Sequence, residues 1–251
     1  CPDYIAPYFT FKAKRITVLH DSLFWDHKKN YSFLWNKYFI SLINLGINKG
    51  TQIITTSNYS KKNLIKILGS DNSISSVYQS FNFLKTSSIN YKTPENYVLH
   101  IGSFERRKDL ITLVKAFKLV GDPNLKLVLA GAQIINGNSE VFDEIKMFIA
   151  QNKLENKVIL AGYVSKEEAS VLYRNALLYI FPSFDEGFGI PILEALSFSL
   201  PVICSDIDVF KEVGGDYVEY FKVGDSISLS KKINLILKSK NLKQKNNTKH
   251  L

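Results

Sequence analysis

Two stretches of this chain set glycine beside charge in a way that suits anion and sugar chemistry. The first is Ile101-Gly102-Ser-Phe-Glu-Arg106-Arg107-Lys108-Asp109, where a strand-like run ends in glycine and cations follow as a helix begins. Gly102 lets a ligand approach the backbone. Arg107 and Lys108 add positive charge beside helix N–H groups, which makes a cradle for a diphosphate. A solvated basic turn would carry the same residues. The second stretch is Phe181-Pro-Ser-Phe-Asp-Glu186-Gly187-Phe188-Gly189-Ile190-Pro191-Ile-Leu-Glu194-Ala-Leu. Its glycines let main-chain amides reach a ligand, and Pro191 suits the first turn of a helix. Glu186 and Glu194 would meet one ligand if the former lies in the loop and the latter one turn into the helix. Carboxylates accept hydrogen bonds from hydroxyls and repel phosphate. They should therefore face sugar rings, while cations and amides face a diphosphate. The plainer reading is one exposed and one helix-surface glutamate, and the surrounding glycines and proline weigh against it.

Such groups need a scaffold, and the chain alternates short β-rich runs with helical patterns, the mark of a parallel α/β architecture. In the first part, residues 15–20, 52–57 and 75–78 read as strands, and 31–48 and 59–68 as helices. Residues 81–95 are polar, lack apolar periodicity and end at Thr93-Pro94, so they form the expected linker. The rhythm then sharpens. Strands are expected at 97–101, 125–130, 157–160, 178–181, 201–204 and 217–221, and helices at 109–120, 139–151, 165–175, 190–198, 209–213 and 225–239. This predicts a partial Rossmann-like domain over 1–80, a complete doubly wound sheet over 96–240, and a basic tail over 241–251. Ligands of such sheets sit at the carboxyl ends of the strands, where both stretches fall.

Composition narrows the classes. The 251 residues carry a formal charge of +9, and Lys238, Lys240, Lys243, Lys245 and Lys249 crowd the tail. That surplus suits anionic lipid or phosphorylated ligands, or simply a solvated face. No nucleic-acid motif accompanies it. Cys1 and Cys204 are too few for a disulfide framework or zinc site, so reduced, cytoplasmic thiols are expected. No apolar run reaches the ~20 residues of a membrane span. A Gly-x-Gly-x-x-Gly is absent, which argues against a dinucleotide-dependent dehydrogenase.

The second stretch resembles the signature of the retaining GT-B glycosyltransferases usually called family 4. The resemblance continues through Gly102-x4-Arg107-Lys108-Asp109-Leu110, Leu129-Ala-Gly131, Gly162-Tyr163-Val164 and Glu212-Val213-Gly214-Gly215. It implies transfer of a hexose, with mannose a candidate, from a GDP- or UDP-linked donor and with no further cofactor or metal. Arg107 and Lys108 would hold the diphosphate. Glu186 with the Gly187, Phe188, Gly189 and Ile190 segment would hold the donor sugar, Glu194 the ribose, and Val164 the base pocket. His20, in Thr17-Val-Leu-His20-Asp21, would reach the donor phosphate or the acceptor, although a strand-end histidine capping a loop fits as well. The segment Ile54-Thr-Thr-Ser57-Asn58 resembles the family's later strand-to-helix passage. His100, inside a strand, is expected to be a packed core histidine. One departure is Ser197-Phe198-Ser199-Leu200-Pro201, where relatives often carry Ala-x-Gly-x-Pro; Phe198 should add core packing.

The implied partners are the nucleotide-sugar donor, a glycan or lipid-linked acceptor, and peripheral contact with an anionic membrane on the cytoplasmic side; no nucleic acid is implied. The chain starts at Cys1, with Met147 its one methionine, and shows no glycine-rich loop after its first strand. Both ends are therefore expected to be cut, leaving a sheet edge exposed. Such a chain would bind a nucleoside diphosphate weakly and transfer sugar poorly, and a module that only binds the nucleotide sugar is the alternative.

Overall fold

The computed structural model describes residues 14–26, 33–47, 51–69, 73–80, 89–133 and 139–247. The front half of the expected linker, His27 and His250 lie outside the described residues. The chain divides into two compact units. The first comprises Cys1–Ser80 with Glu186–Ile190 and Asp208–Val213, and the second Phe81–Asp185, Pro191–Ile207 and Gly214–Leu251.

In the first unit β1 (Ile16–Val18), β2 (Gln52–Thr55) and β3 (Ser73–Ser76) form a parallel sheet in that order. Helices α1 (Leu23–Asp26), α2 (Phe33–Gly46) and α3 (Asn58–Leu68) connect them. Leu19, Ile43, Ile53, Leu64 and Ile74 make the core, with Trp25 and Phe39 packed against it. Helix α3 starts where Ser57 accepts the Ser60 N–H at 3.0 Å, a side-chain cap for an otherwise unpaired helix amide.

In the second unit six parallel strands follow the order β6-β5-β4-β7-β8-β9. They are β4 (Tyr97–Ile101), β5 (Lys126–Ala130), β6 (Val158–Gly162), β7 (Leu178–Phe181), β8 (Val202–Ser205) and β9 (Glu219–Phe221). The helices between these strands in sequence are α4 (Leu110–Val120), α5 (Glu140–Gln151), α6 (Lys166–Asn175), α7 (Ile190–Ser197) and α8 (Asp208–Gly214), with α9 (Ser226–Asn247) after β9; Ile190 and Asp208–Val213 are grouped with the first unit. Every residue of β7 and β8 is buried, which is why these strands read as unbroken apolar runs rather than alternating ones. Val98, Leu127, Leu129 and Ile180 meet Leu113, Val114 and Phe117 of α4 and Leu229 and Ile233 of α9 in one core. A capping box at Ser165 and Glu168 starts α6.

Several expectations needed adjusting: β3 lies at Ser73–Ser76 rather than 75–78, and β9 starts at Glu219 because Gly215–Tyr217 form a 3-10 turn. Helix α4 does not begin at Asp109: Arg106–Lys108 form a 3-10 turn and Asp109 takes φ 46°, which separates the turn from the helix. Helix α9 does not stop at 239 but runs to Asn247, because the Lys, Gln and Asn sequence beyond contains neither Gly nor Pro to break it. Helix α1, a single turn at Leu23–Asp26, lies where the sequence predicts no element.

Helix α7 ends at Ser197, and Ser199 two residues on is left-handed, with φ 54°. Left-handed backbone strains any residue with a Cβ, so Ser199→Gly is expected to stabilise the chain by about 0.5–1 kcal/mol, read as a higher denaturation midpoint with an unchanged m-value.

Candidate functional site

Sheet order fixes where a ligand can sit in the second unit. From β4 the chain builds outward through β5 and β6, then returns to the other side of β4 and builds through β7, β8 and β9. Strands β4 and β7 pair directly, Val98 with Leu178 and Leu99 with Tyr179. The order therefore reverses between β4 and β7, and the loops leaving their carboxyl ends part there to open a crevice. Those are the loops beginning at Gly102 and Pro182, the two that the sequence singles out.

The β4 loop is held from below. The Gly102 N–H donates to the Ala130 carbonyl at 2.9 Å and the Phe104 N–H to the Ala132 carbonyl at 2.9 Å. A Cβ on Gly102 would come within 2.8 Å of His100 Nε2, so glycine is required here by the imidazole packed beneath it as well as by any ligand above. His100 itself is fully buried, with Nδ1 2.9 Å from the Ile180 carbonyl oxygen and its ring beside Tyr179 and Phe181. It is the packed core histidine expected.

The three cations that follow are placed differently. Arg106 points to α5, where its guanidinium pairs with Glu140 at 2.6 Å and Glu144 at 3.2 Å in exposed surroundings. Arg107 is half-buried; its Nε pairs with Glu105 at 2.8 Å, and Glu105 in turn accepts a short 2.5 Å hydrogen bond from Ser103. Lys108 is buried, its ammonium 4.9 Å from the centroid of the Phe181 ring at the end of β7. The two loops are laced together at this point. The Phe184 N–H donates to the Arg107 carbonyl at 2.9 Å, and Arg107 Nη1 reaches the Asp185 carbonyl at 3.5 Å. Arg107 and Lys108 are thus fixed at the switch point, and Arg106 is turned away from it.

Glu194 lies half-buried on α7 and accepts the Tyr173 hydroxyl at 3.0 Å on Oε2. Burial pushes its carboxyl above the usual range, while the Tyr173 hydrogen bond and the Lys166 charge pull the other way. Val164 is half-buried just before the α6 cap, following Gly162 at φ 72° and an exposed Tyr163.

The remaining predicted residues belong to the first unit. Glu186, Gly187, Phe188 and Gly189 are buried, and Ile190 is half-buried. The Gly187 carbonyl accepts from Ser57 Oγ at 2.7 Å and Ser60 Oγ at 3.0 Å, with Thr56 Oγ1 at 3.3 Å. Thr56 also donates to the His20 carbonyl at 2.6 Å, so His20 and the Gly187 segment share a partner. The His20 ring has Nδ1 3.4 Å from the Gln79 amide nitrogen. A Cβ on Gly187 would strike Asp21 at 2.8 Å. Glu212 accepts the Asn58 and Tyr59 N–H groups at 2.6 and 2.9 Å, where the helix dipole favours a carboxylate. Glu105 and Tyr173 are not among the site residues expected from sequence, since each acts through partners that spacing alone does not reveal; Glu212 stands in one of the quoted motifs, without this helix-capping contact. Among the described residues no cluster of metal-ligating side chains is present, and no helix is long and apolar enough to cross a membrane.

A complete doubly wound sheet with its loops gathered at the switch point, together with a smaller parallel sheet, is a GT-B type architecture. Solved structures agree: the chain matches sucrose-phosphate synthase from Thermosynechococcus elongatus with TM-score 0.73 at 21% identity, covering 91% of this chain and 59% of that one. It matches Anabaena HepE in complex with UDP-glucose with TM-score 0.73 at 20% identity, covering 90% and 63%. Among curated proteins, the O-antigen chain mannosyltransferase RfbU of Salmonella typhimurium is 33% identical over 183 residues, 72% of this chain and 50% of that protein. The chain thus spans half the length of that relative. Residues 84–250 match the glycosyl transferases group 1 model, and the chain belongs to that family.

Proposed function

We propose that the protein is a retaining glycosyltransferase of family 4 that moves a hexose, mannose first among the candidates, from a nucleoside-diphosphate sugar to a glycan or lipid-linked acceptor in surface polysaccharide synthesis, at the cytoplasmic face of the membrane. The observation that carries the reading is the placement of Arg107 and Lys108 on the β4 side of the switch point, laced to the β7 loop that leads into Glu186. In this reading the two cations hold the diphosphate, Val164 borders the base, Glu194 accepts the ribose hydroxyls, and Glu186 with the Gly187, Phe188, Gly189 and Ile190 segment engages the donor hexose. His20 faces the donor phosphate or the acceptor. Charge accumulates on the leaving nucleoside diphosphate as the anomeric carbon becomes cationic, and preorganised positive groups stabilise that charge more than they stabilise the ground state. The acceptor attacks from the leaving-group side, which retains configuration without an enzymic nucleophile.

The test is a thermal-shift and calorimetric screen of the purified chain against UDP, GDP, UDP-glucose and GDP-mannose, followed by transfer assays with the donor that binds. Stabilisation by one base family, with little transfer by this chain, and with Glu186→Ala weakening the sugar-linked ligand more than the bare diphosphate, is the expected result. Absence of binding to all four would overturn the reading.

A further inference from the structure

Beneath Glu194 lies a group of aromatic side chains that the donor-site reading leaves unused. Tyr173 of α6 is almost wholly buried, yet its hydroxyl reaches the Glu194 carboxylate 21 positions away. Its ring lies against Tyr179, 5.4 Å between centroids, and is stacked on Phe198 at 5.9 Å with only 12° between planes. Phe198 belongs to the stretch in which this sequence departs from its resemblance to relatives.

We propose that Tyr173, backed by Phe198, is a positioning residue that orients the Glu194 carboxylate toward the nucleotide ribose. This rests on the ribose role proposed for Glu194. The chemistry follows from the acceptor count. A carboxylate that holds a vicinal diol must present its oxygens at a set angle. A glutamate on a helix surface rotates about three side-chain torsions unless something stops it. A hydroxyl donating to Oε2 removes that freedom and leaves Oε1, with the second lone pair of Oε2, for the ligand. Tyr173 is itself held: a ring packed between Tyr179 and Phe198 cannot swing its hydroxyl away. Burial keeps the phenol protonated far above its ordinary range, so it stays a donor at any working pH. The charged and titratable groups acting on Glu194 are Tyr173 and Lys166, both of which favour its ionised form.

The test uses Tyr173→Phe, which removes one oxygen, and Phe198→Ala, which removes the stacked ring. Wild type is expected to prefer UDP over 2′-deoxy-UDP (or GDP over 2′-deoxy-GDP) by roughly 10-fold or more, the worth of hydrogen bonds to a charged acceptor. Tyr173→Phe should bring that ratio within about 3-fold, with the deoxy ligand bound as by wild type; a general structural defect would weaken both ligands together. Phe198→Ala should fall between. The ligand-free protein gives a second readout: carbon NMR of the Glu194 carboxyl should titrate at higher pH in Tyr173→Phe, because a hydrogen bond to the ionised form is gone. An unmoved Glu194 titration, or an unmoved ribose-to-deoxyribose ratio, overturns the proposal while leaving the donor site standing. If wild type binds no nucleotide, the donor reading fails, and the NMR titration still decides whether Tyr173 orients Glu194.

Discussion

Alanine at Lys108 is expected to weaken binding of UDP or GDP by about 2–5 kcal/mol, from ~30-fold upward, the range seen when a buried charged partner is removed. Three observations set that size. The ammonium is buried and is held over the Phe181 ring, so its charge is poorly screened by salt. It sits at the carboxyl end of β7, beside the strand at which the sheet order reverses. The aromatic face beneath it favours the cation and keeps water from that side of the ammonium. Arg106 is the internal control. Its guanidinium is engaged with Glu140 and Glu144 on the exposed side of α5, and Arg106→Ala should leave affinity within about 2-fold, as exposed pairs contribute little. Calorimetry of both variants at two salt concentrations decides the matter. Equal affinity of Lys108→Ala and wild type would place the diphosphate elsewhere.

The contrast between Arg106 and Lys108 also shows how far the sequence could be read. Strands β4 and β7 fall at the residues expected, because their apolar runs end abruptly at Gly102 and Pro182. The six strands and the placing of both loops at strand ends follow from the βα rhythm, whereas the strand order and its switch point come from the structure. What the rhythm does not contain is the direction of side chains after a strand. Consecutive Arg106, Arg107 and Lys108 are equivalent in sequence. The 3-10 turn and the left-handed Asp109 point them to three environments: α5, Glu105 and Phe181. Likewise Glu194 was legible as a carboxylate in a glycine-rich context, but its Tyr173 partner was not, since the contact joins two helices separated by β7. Phe198 shows the same limit. It was read as packing, which it does, and the structure adds that it packs on the residue holding Glu194. Position along an element is a local property; what an element leans on is not.

The largest effect on stability should come from Gly131→Ala. Gly131 follows β5 with φ 136°, a backbone conformation closed to residues with a Cβ, and that atom would lie 2.0 Å from the Gly102 carbonyl oxygen and 2.6 Å from its carbon. Both are backbone atoms and cannot rotate aside. Nor can Gly131 retreat, because its N–H donates to the Gly162 carbonyl at 2.7 Å while the Gly102 N–H holds the Ala130 carbonyl at 2.9 Å. Three neighbouring strand ends are tied in one row, and a methyl group at the middle must push them apart. Backbone strain and overpacking each cost about 1–3 kcal/mol, so a loss of about 3 kcal/mol or more is expected, a fall in Tm of roughly 6–12 °C for a domain of this size. Gly121 separates strain from collision. It is also left-handed, at φ 70°, but its added Cβ would meet only the Leu119 carbonyl at 4.0 Å, so Gly121→Ala should cost about 1 kcal/mol. The displacement at Gly131 falls on the first peptide of the Arg107-Lys108 loop. Surviving Gly131→Ala protein should therefore bind nucleotide more weakly than Gly121→Ala, even at temperatures where both are fully folded by circular dichroism. A Gly131→Ala chain that melts and binds as wild type does would show that this row of strand ends is looser than its hydrogen bonds describe.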